Sequence, residues 1–134
     1  MASLIGAFNN QLIRFIEDVS TVLKPEDAAE ARQSVAALKL AVRLSPTVAI
    51  KVWNGYSALY AADIASGDIE SFINRDYADT LNDRDDSWLA ACEKIRRCAR
   101  YLSPKDQAMT MKYVQMLTRL ATMYEAERAR PKQV

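Results

Sequence analysis

The chain has 134 residues, half of them apolar and 26% charged, which is the size and balance of one globular domain. Its formal net charge of +1 excludes a whole-molecule attraction to nucleic acid, an anionic membrane or an acidic partner. The absence of histidine removes the commonest general base and the commonest metal ligand.

Three glycines and four prolines leave little punctuation, so long regular elements are expected. Their periodicity is helical throughout, with no alternating strand pattern. In the first helix, read as Ser3 to Leu23, the residues Ile5, Phe8, Leu12, Phe15, Val19 and Val22 follow steps of three and four and fall on one stripe. Ser3 is placed to cap its start, and Pro25 disfavours helix at Lys24. The second helix runs from about Pro25 to Leu44 with the stripe Ala28, Ala31, Val35, Leu38 and Val42. Glu26, Asp27 and Glu30 near its start and Lys39 and Arg43 near its end complement the helix dipole.

Leu44-Ser45-Pro46 repeats the grammar of Leu23-Lys24-Pro25, as does Leu102-Ser103-Pro104. In each, proline is expected at the first position of the next helix, with Ser45 and Ser103 as caps. The third helix is read from Pro46 to about Ala65, apolar on more than one face, with Gly55 marking a kink or a close crossing and Gly67 a stop. Asp68 caps a short helix carrying Ile69, Phe72 and Ile73, and Asp76 to Asp86 form the longest connection. The next helix, Asp86 to Leu102, carries the stripe Trp88, Cys92, Ile95, Ala99 and Leu102. The last runs from Pro104 to about Arg128 with Met109, Tyr113, Met116, Leu117, Leu120 and Tyr124 facing inward. The fold class is therefore all-α: a single-domain bundle of about five main helices over residues 1–128, followed by a flexible tail at 129–134.

Charge is unevenly placed. Residues 63–86 hold eight acids and two bases, whereas residues 87–134 hold ten bases and four acids. Lys94, Arg96, Arg97 and Arg100 read as a basic face beside Tyr101, suited to phosphates or, more simply, to the acidic stretch within or between molecules. Asp83 and Asp85 suggest a hard cation. An EF-hand loop beginning at Asp83 needs glycine sixth and glutamate twelfth, and this chain has Trp88 and Lys94 there. The solvated-loop reading is preferred.

Cys92 and Cys98 sit six residues apart on one helix, about 9 Å by helical rise, too far for a disulfide between them. Two free thiols, no N-terminal signal segment and no long apolar run point to an intracellular, reducing location without a membrane span. Cys92 reads as core. Cys98 lies near Arg97 and Arg100, which are expected to lower its pKa. Met111 and Met123 fall off the inward stripe of the last helix and offer a second, intermolecular surface.

Two segments, Phe8-Asn9-Asn10-Gln11-Leu12-Ile13-Arg14-Phe15-Ile16-Glu17-Asp18-Val19 and Phe72-Ile73-Asn74-Arg75-Asp76-Tyr77, resemble a family of small all-helical proteins encoded by nucleocytoplasmic large (giant) DNA viruses. Tyr113 to Leu120 is compatible with it. The resemblance spans about half the chain and implies a small viral helical protein, cytoplasmic or in the virion, with no activity or functional residue to transfer.

The residues themselves offer no catalytic signature, cofactor motif or small-molecule substrate site. The expected function is non-enzymatic: a structural or protein–protein interaction protein, self-associating or part of a larger assembly such as a virus particle. The alternative is a nucleic-acid-associated protein using residues 94–100 and the tail residues Arg128, Arg130 and Lys132. A carboxylate-dependent enzyme centred on Asp76, Asp83 and Asp85 has only their crowding behind it.

Overall fold

The computed structural model describes residues 3–74 and 87–129, with side chains from 91 onward in the second stretch. It is an all-α bundle with no strand among the described residues. The helices are α1 (Leu4–Ser20), α2 (Pro25–Leu44), α3 (Val48–Ala58), α4 (Ala61–Ser66), α5 (Ile69–Asn74), α6 (Ser87–Cys98) and α7 (Pro104–Ala129). A 3₁₀ turn, Ala99–Tyr101, continues α6. Five of these helices have seven residues or more, in line with the expected five.

The first helix starts as its sequence dictates, with Ser3 Oγ accepting from the Gly6 amide at 2.9 Å. Phe8, Leu12, Phe15, Ile16 and Val19 are buried against α2 and α7, its main neighbours. The helix stops one turn before Leu23. The amides of Val22 and Leu23 bond three residues back, to Val19 and Ser20, which tightens the last turn and turns Val22 outward. The expected stripe in α2 is inside: Ala28, Ala31, Val35 and Leu38 are buried, and Val42 is half-buried.

The Ser45-Pro46 joint differs from expectation. Helix α3 begins at Val48, because Ser45 accepts the Val48 amide through its carbonyl (3.1 Å) and closes a turn. Ser45 is therefore not a side-chain cap. Asn9 Nδ2 donates to the Pro46 carbonyl (2.9 Å) and ties the joint to α1. The helix expected over Pro46–Ala65 is broken in two. Leu59 and Tyr60 bond three residues back, and Tyr60 leaves helical geometry at φ −118°, ψ 18°. Gly55 is exposed within α3 and marks neither the break nor a crossing.

Gly67 ends α4 with φ 72°, the left-handed conformation that a side chain resists. A Cβ there lies 3.3 Å from Gln115 Nε2, which itself donates to the Ile64 carbonyl at 2.9 Å. Gly67→Ala is expected to cost about 1–2 kcal/mol and Gly67→Asn less, because asparagine tolerates this conformation. Urea unfolding of both variants measures the order; equal stability of Gly67→Ala and wild type would contradict it. Asp68 caps α5 through Oδ1, which accepts the Ser71 amide at 3.1 Å.

A row of rings runs through the core. Phe8 meets Trp53, Trp53 meets Tyr56, Tyr56 meets Tyr60 and Tyr60 meets Phe72, with centroids 6.2, 5.3, 5.4 and 5.3 Å apart. The tilted and edge-on geometries are those aromatic quadrupoles favour. Along α6 and the 3₁₀ turn after it, the stripe residues Cys92, Ile95 and Ala99 are buried, Leu102 just beyond is half-buried, and the side chain of Trp88 lies outside the described ones.

The last helix is turned away from its expected orientation. Ser103 Oγ caps it by accepting the Asp106 amide at 3.2 Å, as expected. Its buried face is Thr110, Met111, Val114, Leu117, Ala121 and Tyr124. Met111, expected off the stripe, belongs to the core. Met116, expected inside, is 47% exposed. Met109, Tyr113 and Leu120 are half-buried. Among the described residues no helix is long and apolar enough to cross a membrane. The proposed tail, 129–134, lies outside the described residues except for Ala129, the last residue of α7.

Candidate functional site

The four bases read as one face separate into three environments. Arg96 is not on the surface: it is 2% exposed and lies under the aromatic row. Its Nε donates to both carboxylate oxygens of Glu93 at 3.1 Å, and its Nη1 donates to the carbonyls of Phe72 and Ile73, both at 2.8 Å. Those carbonyls belong to the last turn of α5. The guanidinium lies 4.9 Å from the Tyr60 ring centroid, a cation–π distance. Glu93, also buried, accepts from Tyr56 Oη at 2.9 Å and Tyr60 Oη at 3.2 Å. Burial opposes the charge on Arg96, but the hydrogen bonds and charge of Glu93 outweigh it and hold the guanidinium above its usual pKa. Burial, reinforced by Glu93, pushes the Tyr56 hydroxyl well up.

A carboxylate, two phenols and a guanidinium in one cluster have the ingredients of acid–base chemistry. Among the described residues the space beside them is small. The adjoining cavity, lined by Trp53, Tyr56, Phe72, Cys92, Ile95 and Arg96 among others, measures about 10 Å³. That is about the room of one water and of no substrate. The cluster joins α3, the α3–α4 break at Tyr60, α5 and α6.

Lys94 is engaged elsewhere. Its Nζ pairs with Asp27 Oδ1 at 3.1 Å and with Glu30 Oε2, so the acids it meets are those of α2. The acidic stretch expected to meet it lies largely outside the described residues, and Asp76, Asp83 and Asp85 with it. Arg97 and Arg100 are exposed, and Arg97 Nε lies 4.0 Å from Glu93 Oε1. Of the tail bases, Arg128 pairs with Glu125 at 3.5 Å and lies over the Tyr124 ring; Arg130 and Lys132 are outside the described residues.

The thiols are held protonated. Cys92 is fully enclosed, and burial first and Glu93 second push its pKa up. For Cys98 the expected lowering is reversed. Burial raises its pKa above that of a free thiol, Asp27 raises it further, and Sγ donates to Asp27 Oδ2 at 3.7 Å. Alkylation of Cys98, followed by mass spectrometry against pH, is expected to show a midpoint above that of a free thiol. Asp27→Asn should move the midpoint down. A wild-type midpoint below the free-thiol value would contradict this placement.

The surface carries the remaining features. Leu40 and Leu44, one turn apart at the end of α2, are 56% and 77% exposed, beside exposed Ala36 and Ala37. Met116 and Met123 are each 47% exposed on α7. Two open grooves of about 510 and 390 Å³ flank α7, the first including Lys105, Met109, Lys112 and Met116 in its lining and the second Arg119 and Met123. Among the described residues no group of three or more Cys, Asp or Glu is placed to hold a metal ion.

The buried cluster had a signal in the sequence. Cys92, Arg96 and Ala99 are spaced four and three apart, so Arg96 lies on the apolar stripe itself. Residue type, not spacing, assigned it to the surface. Compared with known proteins, the chain matches no family model, no curated protein and no solved structure.

Proposed function

We propose that the chain is a non-enzymatic protein that works by protein–protein association, self-associating or built into a larger assembly such as a virus particle. The observation that carries this reading is the exposed apolar end of α2. Leu40 and Leu44 stand 56% and 77% exposed on a face whose exposed alanines permit close approach of another helix. The water-sized cavity beside the Glu93–Arg96 cluster, too small for a substrate among the described residues, is consistent with it. The nucleic-acid alternative is weakened, because Arg96 is enclosed and Lys94 is paired with α2.

Light scattering after size exclusion tests the proposal. The expected molar mass exceeds the 15.1 kDa of one chain. It should persist at high salt, because the contact is apolar, and fall to the monomer in Leu40→Asp/Leu44→Asp. A monomer at every salt and protein concentration would overturn self-association. A higher mass that melts away with salt would place the contact on charged surfaces instead.

A further inference from the structure

The outward edge of α7 has a composition that the packing of the bundle does not require. Lys105, Met109, Lys112, Met116, Arg119 and Met123 follow one another at steps of four, three, four, three and four. At about 100° per residue, all six fall within about 80° of the helix circumference, and the edge is about 27 Å long. It lies opposite the buried face of Met111, Val114, Leu117 and Ala121. Five of the six residues are exposed, and Met109 is half-buried. Cation and methionine alternate along it without exception.

Among the described residues the edge has no counter-charge. Asp106 is the only acid of α7 before Glu125, and among the described residues no carboxylate lines either groove beside the edge. Lys105, Lys112 and Arg119 have no ion-pair partner among the described residues. Methionine at exposed positions supplies apolar contact that adapts to its partner's shape.

We propose that this edge docks an acidic amphipathic helix of a partner protein. Its carboxylates would meet Lys105, Lys112 and Arg119, and its apolar side chains would pack between Met109, Met116 and Met123. The three-four spacing is the seam that one helix presents to another. Charge selects the partner. A second copy laid edge to edge would set cations against cations, or leave all of them without counter-charge, so pairing of this edge with itself is disfavoured. A helix that lies on a lipid surface separates its cations onto a polar face, whereas here they interleave with the apolar residues along one line. The inference rests on the reading of the chain as an interaction protein and adds the chemistry of one partner.

The test uses the full chain and labelled peptides of about 20 residues, a length matching the edge. One peptide repeats Leu and Glu at three-four spacing, a second carries Gln for Glu and a third carries Lys for Glu. Fluorescence anisotropy is expected to show binding of the Glu peptide, about tenfold weaker binding of the Gln peptide and none of the Lys peptide. Lys112→Glu/Arg119→Glu should lose the Glu peptide by at least about tenfold and acquire the Lys peptide. Both positions are exposed, and a melting curve like that of wild type verifies the fold. Met116→Ser/Met123→Ser should weaken the Glu peptide without reversing the charge preference.

Equal binding of the Glu and Gln peptides, or binding of neither, would overturn the proposal. So would adsorption to phosphatidylserine vesicles without peptide binding. A change in the molar mass of the free protein on Lys112→Glu/Arg119→Glu would make a second copy the occupant and also overturn it. Leu40→Asp/Leu44→Asp separates the two readings: it should abolish self-association and leave the Glu peptide bound.

Discussion

Arg96→Ala is expected to lower the unfolding free energy by about 3–5 kcal/mol, the range seen when one partner of a buried ion pair is removed. Three losses combine. The Glu93 carboxylate stays buried with the Tyr56 and Tyr60 hydroxyls and, at 4.0 Å, the exposed Arg97 guanidinium left to meet its charge. The Phe72 and Ile73 carbonyls lose their donor at the end of α5. The guanidinium plane also leaves the Tyr60 face, against which it rests at 4.9 Å from the centroid. Removing both charges should cost less than removing one. Arg96→Met/Glu93→Gln keeps volume in the core and an acceptor for the two phenols, so it is expected to be more stable than Arg96→Ala alone. Urea denaturation of the variants, read as midpoint and slope, measures this. A cost below about 1 kcal/mol for Arg96→Ala would mean the guanidinium is solvated, as a surface position would be.

Phe8→Ala is expected to cost about 3–5 kcal/mol, from lost transfer free energy and the cavity left behind. Phe8 is fully buried and meets Trp53 edge-on at 6.2 Å, so its ring anchors α1 to α3 at the head of the aromatic row. Trp53 is fixed on its other side by the indole N–H, which donates to Thr118 Oγ1 at 3.2 Å, and so has little freedom to collapse into the gap. Val22→Ala, on the same sequence stripe, is expected to change stability by less than about 0.5 kcal/mol, because Val22 is 37% exposed beyond the end of α1. Chemical denaturation separates the two. Similar losses for both would mean that the helix continues to Leu23 as its periodicity suggests.

Helices α1 and α2 were legible because each has a single apolar stripe and polar residues elsewhere. Their caps and prolines then set the ends to within a turn. Ser3, Gly67, Asp68 and Ser103 act where local chemistry placed them. The break at Leu59–Tyr60 has no proline or glycine to announce it. It is made by two amides that bond three residues back, within a stretch whose aromatic spacing alone reads as one helix. In α7 periodicity misleads for a different reason. Met109, Met116 and Met123 recur every seven residues, two helical turns, as regularly as steps of three and four connect Met111, Val114, Leu117 and Ala121. A helix apolar on two opposite sides gives no single direction inward, and only its neighbours settle which side is buried. Arg96 shows the converse. Its spacing is that of a core residue, but a charged side chain reads as outward because burial demands a partner; Glu93, three residues before it, is that partner.

The rotation of α7 decides what the protein offers to others, since it turns Met111 inward and leaves the Lys–Met edge outside. Methionine oxidation by dilute peroxide, read residue by residue by mass spectrometry, measures that rotation on the native chain. Met116 and Met123 are each 47% exposed and Met111 is 5% exposed. Met116 and Met123 are therefore expected to oxidise at least about tenfold faster than Met111. Oxidation of Met111 at the rate of Met116 would contradict the orientation of α7, and with it the docking edge.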